Sequence, residues 1–254
     1  MKAPEIEVAE YIELCGFCPN NDIAKRFNVS EMTVRRCLDR LEDLGRVRRV
    51  RSGAVSVKHT RSHARGLTDN LFRQREQKQA IASHAAALIR EGQTIFLDTG
   101  STCYYLAQEI MENAGITVIT YSLDIVSALR GKPGIRVICP GGEYDATLNI
   151  FAGPHAETLL GSFKADLAFL GVGAIDPETG TQENTIIQTP LKAIMNANAR
   201  HSYVLADSTK FGHRSYFDSI PISQIRHVIT STALEQRYTV ILQEKGIQVE
   251  TVEC

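Results

Sequence analysis

The sequence predicts an α/β protein in two parts: a winged helix-turn-helix over residues 1–58 and a mostly parallel α/β domain over residues 76–254, joined by a linker over residues 59–75. Three observations carry that expectation. Helical periodicity is interrupted twice near the N-terminus, a basic charge cluster is confined to the same stretch, and beyond residue 76 β-rich apolar runs alternate regularly with helical patterns. At 254 residues, 43 % hydrophobic and 22 % charged, the chain can bury a substantial core and falls outside the collagen-like, low-complexity and disordered classes.

The first helix follows from Ile6, Val8, Ala9, Ile12 and Leu14, spaced for one apolar face, and Gly16 and Pro19 stop it. A short second helix, Asp22 to Phe27, ends in Asn28-Val29-Ser30, where Ser30 can accept a hydrogen bond from the free amides that open a third helix. In that third helix Val34, Cys37, Leu38, Leu41 and Leu44 recur at intervals of three and four and make the expected buried stripe. Met32, Thr33, Arg35, Arg36 and Arg40 are left on the outer faces. Gly45 closes the helix, and Arg46–Val50 and Ala54–Val57 read as two short strands about Arg51-Ser52-Gly53.

The net charge of −1 conceals an asymmetry: residues 25–58 hold ten basic side chains against four acids, a net +6, while residues 1–24 carry −4 and residues 59–254 carry −3. A duplex attracts such a footprint, and its major groove admits one helix whose arginine forks grip guanine O6 and N7 together. Arg35 and Arg36 are the expected base readers. Ser30, Met32, Thr33 and Arg40 complete the helix face, and Arg46, Arg48, Arg49 and Arg51 on the wing are expected at phosphates or in the minor groove. A winged helix used for protein contacts is the competing reading.

No metal site is expected. Cys15-x-x-Cys18 and His59-x3-His63 have ligand types suited to zinc, but forty residues separate the pairs where a finger has about 12 to 15, and the winged helix fills the interval. Cys15 and Cys18 are read instead as the end of the first helix and its following turn, and the six cysteines as reduced, mostly structural thiols. No run approaches the roughly 18 apolar residues of a membrane helix, and the acidic start lacks the apolar centre of a signal peptide, so a cytoplasmic protein is expected.

In the second domain the expected strands are Thr94–Leu97, Ile116–Thr120, Ile135–Cys139, Leu167–Leu170, Ser202–Ala206, His227–Thr230 and Ile247–Val252. Helices are expected at Lys78–Arg90, Thr102–Asn113, Leu123–Leu129, Thr189–Ala199 and Leu234–Lys245. Ligands of such sheets bind beyond the carboxyl ends of the strands, and there the chain places Asp98-Thr99-Gly100-Ser101-Thr102, Tyr121-Ser122, Gly141-Gly142 and Asp207-Ser208-Thr209-Lys210. Hydroxyls, glycine amides at a helix start and a lysine suit a phosphate; Asp98 and Asp207 suit sugar hydroxyls. Ser101, Thr102, Ser122 and Lys210 are the expected phosphate ligands. The plainer alternatives are that Asp98 caps the next helix, Gly141 and Gly142 only form a turn, and Lys210 is solvated.

In combination these residues resemble the DeoR family of bacterial transcriptional regulators. The resemblance rests on Val29-Ser30-Glu31-Met32-Thr33-Val34-Arg35-Arg36, Leu41-Glu42-Asp43-Leu44-Gly45, Phe96 to Thr102, Ser122-Leu123, Gly141-Gly142 and Ala206 to Gly212. It implies a C-terminal domain like ribose-5-phosphate isomerase, repression of sugar-use operons relieved by a phosphorylated sugar, double-stranded operator DNA as partner, no cofactor, and a homo-oligomer, dimer or tetramer, matched to a palindromic site. The chain departs from the family at Cys37 and Gly173, where aspartate is usual, at Gln188, where glutamate is common, and at Tyr121, where asparagine is common. An activator, or an isomerase-like or deaminase-like enzyme with a DNA-binding head using Asp98, Asp176 or Glu183 as base, are the rival readings.

Overall fold

A computed structural model describes the chain except residues 1, 2, 16, 51, 52, 57–66, 68, 69 and 113. It divides into two compact units, Met1–Phe72 and Arg73–Cys254. Most of the expected linker, and the expected wing turn at Arg51-Ser52, lie outside the described residues.

The first unit comprises α1 (Ala3–Cys15), β1 (Phe17–Pro19), α2 (Asn20–Phe27), α3 (Glu31–Asp43), β2 (Val47–Val50) and β3 (Gly53–Ser56). Val8, Ala9, Ile12, Ile23, Val34, Leu38, Leu41, Val47 and Ala54 form one core. Ser30 caps α3 as expected, its side chain accepting from the Thr33 amide at 3.2 Å. Gly45, at φ +64°, ends it by turning the chain so that the Arg46 amide reaches Leu41 O at 2.8 Å.

Three expectations need correction. Cys18 lies in a strand, not a turn: β1 pairs antiparallel with β3, aligning Phe17 with Val55 and Pro19 with Gly53. Three residues give no alternation to read, and this strand exists because the wing offers it an edge. Ile6 is 38 % exposed and Glu5 is buried at 7 %, because Arg40 Nη1 reaches Glu5 Oε1 at 3.0 Å and draws that face of α1 inward. Leu44 stands 58 % exposed at the cap of α3, beyond its last packed turn.

The second unit is built on seven parallel strands: β4 (Thr94–Leu97), β5 (Ile116–Ile119), β6 (Ile135–Ile138), β9 (Ala165–Gly171), β12 (Ala199–Leu205), β14 (His227–Ser231) and β15 (Gln248–Val252). They are the seven expected from the apolar runs, and they lie in the order β6-β5-β4-β9-β12-β14-β15. The order reverses between β4 and β9, which makes their carboxyl ends the topological switch point of the sheet. The helices are α4 (Arg75–Ala87), α5 (Ser101–Glu109), α6 (Leu123–Leu129), α7 (Pro154–Ser162), α8 (Thr189–Asn198) and α9 (Gln236–Glu244).

The sequence reading missed α7 and five short antiparallel strands: β7 (Glu143–Asp145), β8 (Ile150–Ala152), β10 (Ala174–Asp176), β11 (Gly180–Glu183) and β13 (Phe217–Pro221). Their residues are polar or too few to alternate, yet Thr181, Gln182 and Glu183 of β11 are buried. Helix α7 buries only Ala156 and Leu160, one turn apart, behind Gly153 and Pro154.

Candidate functional site

On α3 the side chains of Arg35 and Arg36 are exposed, as are Met32 at 66 %, Thr33 and Ser30. Arg35 makes only a loose exposed pair with Glu31, at 3.9 Å. Arg36, and Arg48 on the wing, form no ion pair among the described residues. Three other arginines of the expected DNA face are engaged within the unit. Arg40 holds Glu5, Arg46 holds Glu13 Oε1 at 3.1 Å, and Arg49 pairs with Asp39 while its amide donates to Glu42 Oε1 at 2.7 Å. The hydroxyls of Ser30 and Thr33 share a hydrogen bond at 2.9 Å. Arg51 lies outside the described residues.

In the second unit the loop after β4 carries Asp98, fully buried at the switch point. Its Oδ1 accepts from Tyr121 Oη, and its Oδ2 accepts from the Gly171 amide at 2.9 Å and from Lys192 Nζ. Asp98 therefore ties the ends of β4, β5 and β9 to α8, and it does not cap α5, whose N-cap is Gly100. Lys192 also donates to Gly171 O at 2.6 Å and lies 3.4 Å from Glu183 Oε1. Burial opposes the Lys192 charge, but Asp98 and Glu183 outweigh it and hold the ammonium above the ordinary lysine range. Glu183 is the surplus charge of the trio: burial pushes its carboxyl up to about 7 against the pull of Lys192, and its Oε1 accepts no hydrogen bond. Burial, reinforced by Asp98, likewise raises Tyr121 and Cys103.

Beside this knot, Gly100 opens α5 at φ +107°, with no side chain capping the helix and open space where a Cβ would stand. Ser101 and Thr102 form the first turn and are nearly buried, at 9 % and 6 %. The free amides and positive end of such a helix suit an anion. Ser122 is fully buried and caps α6, accepting from the Ile125 amide at 3.5 Å. Gly142 is packed, since a Cβ there would meet Ala152 O at 2.6 Å; Gly141, at φ +69°, faces open space.

The fourth loop is held separately. Asp207 is buried, accepts from the Thr209 amide at 3.0 Å, and lies 3.7 Å from the ammonium of buried Lys78 on α4. Burial pulls Lys78 down to about 8 against the opposing effect of Asp207. Lys210 is half-exposed and forms no ion pair among the described residues. The sequence reading missed Lys78, Gln77 and Lys192, and named Glu183 only as a candidate base of the rival enzyme reading. The lysines carried a readable signal: Lys78 shares the buried stripe of Ile81, Ala82 and Ala85, and Lys192 that of Leu191 and Met195, where an ammonium must find a carboxylate. A separate cleft of about 360 Å³, lined by Arg90, Gln93, Asp166, Arg200, His201 and Tyr203 among others, lies at the opposite, amino ends of β4, β9 and β12.

The DeoR-like helix-turn-helix domain family matches residues 6–60, and the DeoR C terminal sensor domain family matches residues 73–232. The chain belongs to the DeoR family of transcriptional regulators. Among its relatives, the HTH-type transcriptional regulator GolR of Listeria innocua is 30 % identical over 232 residues, covering 91 % of each chain. The glycerol-3-phosphate regulon repressor of Escherichia coli is 26 % identical over 246 residues, covering 96 % of each. Among solved structures, ribose 5-phosphate isomerase A from Methanocaldococcus jannaschii superposes at a TM-score of 0.40 with 21 % identity, over 54 % of this chain and 55 % of that one. No described helix of this DeoR-family chain is long and apolar enough to cross a membrane.

Proposed function

We propose that this DeoR-family chain is a cytoplasmic repressor of a sugar-use operon, a homo-oligomer whose operator affinity is set by a phosphorylated sugar, with no catalytic step. Arg35 and Arg36 enter the major groove and read bases, with Met32 and Thr33 beside them. Arg48 meets phosphate. Arg40, Arg46 and Arg49 chiefly fix the geometry of the head, their remaining N–H groups serving the backbone at its edge.

The sugar phosphate sits at the switch point, its anion on the Gly100-Ser101-Thr102 turn and its hydroxyls toward the Asp207–Lys210 loop. Asp98 and Tyr121 act through position, because both oxygens of Asp98 and the Tyr121 hydroxyl are already bonded inside the fold. The observation that carries this reading is the uncapped start of α5 at Gly100, open to solvent beside a carboxylate fixed across β4 and β9. Ligand then favours one of two conformational states with different DNA affinity.

A mobility-shift titration on the protein's own promoter, with ribose 5-phosphate, fructose 6-phosphate and glycerol 3-phosphate added in turn, tests it. Binding that weakens with rising salt and is relieved by one of the three is expected. No binding even at low salt would end the proposal.

A further inference from the structure

Gln77, in the first turn of α4 and only 8 % exposed, uses both ends of its amide. Its Oε1 accepts from the Ser208 amide at 3.0 Å and from Ser231 Oγ at 2.7 Å, and its Nε2 donates to Gln74 Oε1 at 2.9 Å. The three partners belong to three different places. Ser208 opens the single turn after β12 that carries Lys210, Ser231 ends β14, and Gln74 precedes α4 with a left-handed backbone at φ 51°. Gln74 is one residue inside the second unit, next to the segment that leads back along the chain to the head.

A buried amide that serves three groups resists losing any one of them, because each orphaned partner keeps its desolvation penalty. The loop and the helix start therefore cannot shift independently. We infer that Gln77 is a positioning residue that passes movement of the Asp207–Lys210 loop to the start of α4, and so to the chain entering the sensor unit. The inference rests on the effector reading above. A sugar whose hydroxyls engage the Asp207–Lys210 loop moves the Ser208 amide. Gln77 then follows, and Gln74, bonded to its other end, turns with it. Gln77 itself touches neither sugar nor DNA in this scheme.

The test uses the full chain and the ratio of operator Kd with and without saturating sugar phosphate, the three compounds named above being tried on the wild type first. Gln77→Leu is expected to bind the active compound by calorimetry yet lose its ratio by about fivefold or more, toward one. Gln77→Glu keeps the oxygen that serves Ser208 and Ser231 but loses the Nε2 donor to Gln74, and is expected to keep only part of the ratio. Ser231→Ala, a milder change that guards against misfolding of the leucine variant, is expected to lower it by a smaller factor. A merely structural role for Gln77 would lower the melting temperature while leaving the ratio at saturation intact. Wild-type ratios in both Gln77→Leu and Ser231→Ala overturn the inference and leave the effector reading standing. A wild type that responds to none of the three compounds overturns that reading, and the inference with it.

Discussion

Both units of the chain depend on charged side chains, but they place them in opposite ways. In the head, Arg35, Arg36 and Arg48 stand in solvent, Arg35 in only a loose exposed pair with Glu31, where a guanidinium costs little and remains available to a phosphate or a guanine. In the sensor unit Asp98, Lys192, Glu183, Lys78 and Asp207 are all buried, and burial makes each depend on its neighbour. The difference teaches where to look for recognition and where for shape. Exposed charge in the head is free to meet a partner, whereas buried charge in the sensor fixes the loops around the proposed effector site, whose proposed anion cradle is backbone.

The sharpest way to break the comparison is to remove one buried partner. Lys192→Met leaves Asp98 facing Tyr121 and Gly171 without its cation, and is expected to destabilise the chain by about 3–5 kcal/mol in urea denaturation. A loss below about 1 kcal/mol would show that the pair is not what holds the switch point together.

Glu183 offers a test of sign. Its folded carboxyl titrates at about 7, above its ordinary value of 4.5, so the proton is held more tightly in the folded state. The resulting stability is fully present below the ordinary value and is lost as pH rises through about 7. Glu183→Gln removes this dependence, so the variant is expected to gain on the wild type between about pH 5 and pH 8, by up to roughly 3 kcal/mol. Denaturation curves at the two pH values check it, and a gap that shrinks as pH rises would contradict the burial account.

In the head the same kind of change acts on binding instead of folding. Arg36→Ala is expected to cost about 1–3 kcal/mol on operator DNA while stability stays within about 0.5 kcal/mol, measured by fluorescence titration and thermal melts. Arg48→Ala is expected to do less, weakening all sequences alike and reducing the salt slope by about one. A loss confined to one operator base pair would move Arg48 into the base-reading set.

What the sequence made legible follows the same division. All seven parallel strands were readable because a sheet covered on both faces writes itself as apolar runs, as in Ile116–Ile119 and His227–Ser231. The antiparallel strands were not, because β11 is Gly-Thr-Gln-Glu and its burial comes from neighbours distant in sequence. The loops of the candidate site are marked in the sequence by their hydroxyls and glycines at strand ends. Their internal wiring was hidden, since Lys192 meets Asp98 across 94 positions and Gln77 meets Ser231 across 154. On α3 the outward face was read directly from periodicity, but nothing local announced that Arg40 and Arg46 would turn back onto Glu5 and Glu13 of α1.

The division of labour between the units is tested most directly by measuring operator and sugar-phosphate affinity side by side for Arg36→Ala and Gly100→Ala. A side chain at Gly100 strains a backbone held at φ +107° and fills the space over the helix start. The account predicts a crossed result: Arg36→Ala loses operator DNA and keeps the sugar phosphate, while Gly100→Ala keeps the operator and is no longer released from it. If Gly100→Ala responds to the sugar phosphate as the wild type does, the cradle is elsewhere and the account is contradicted.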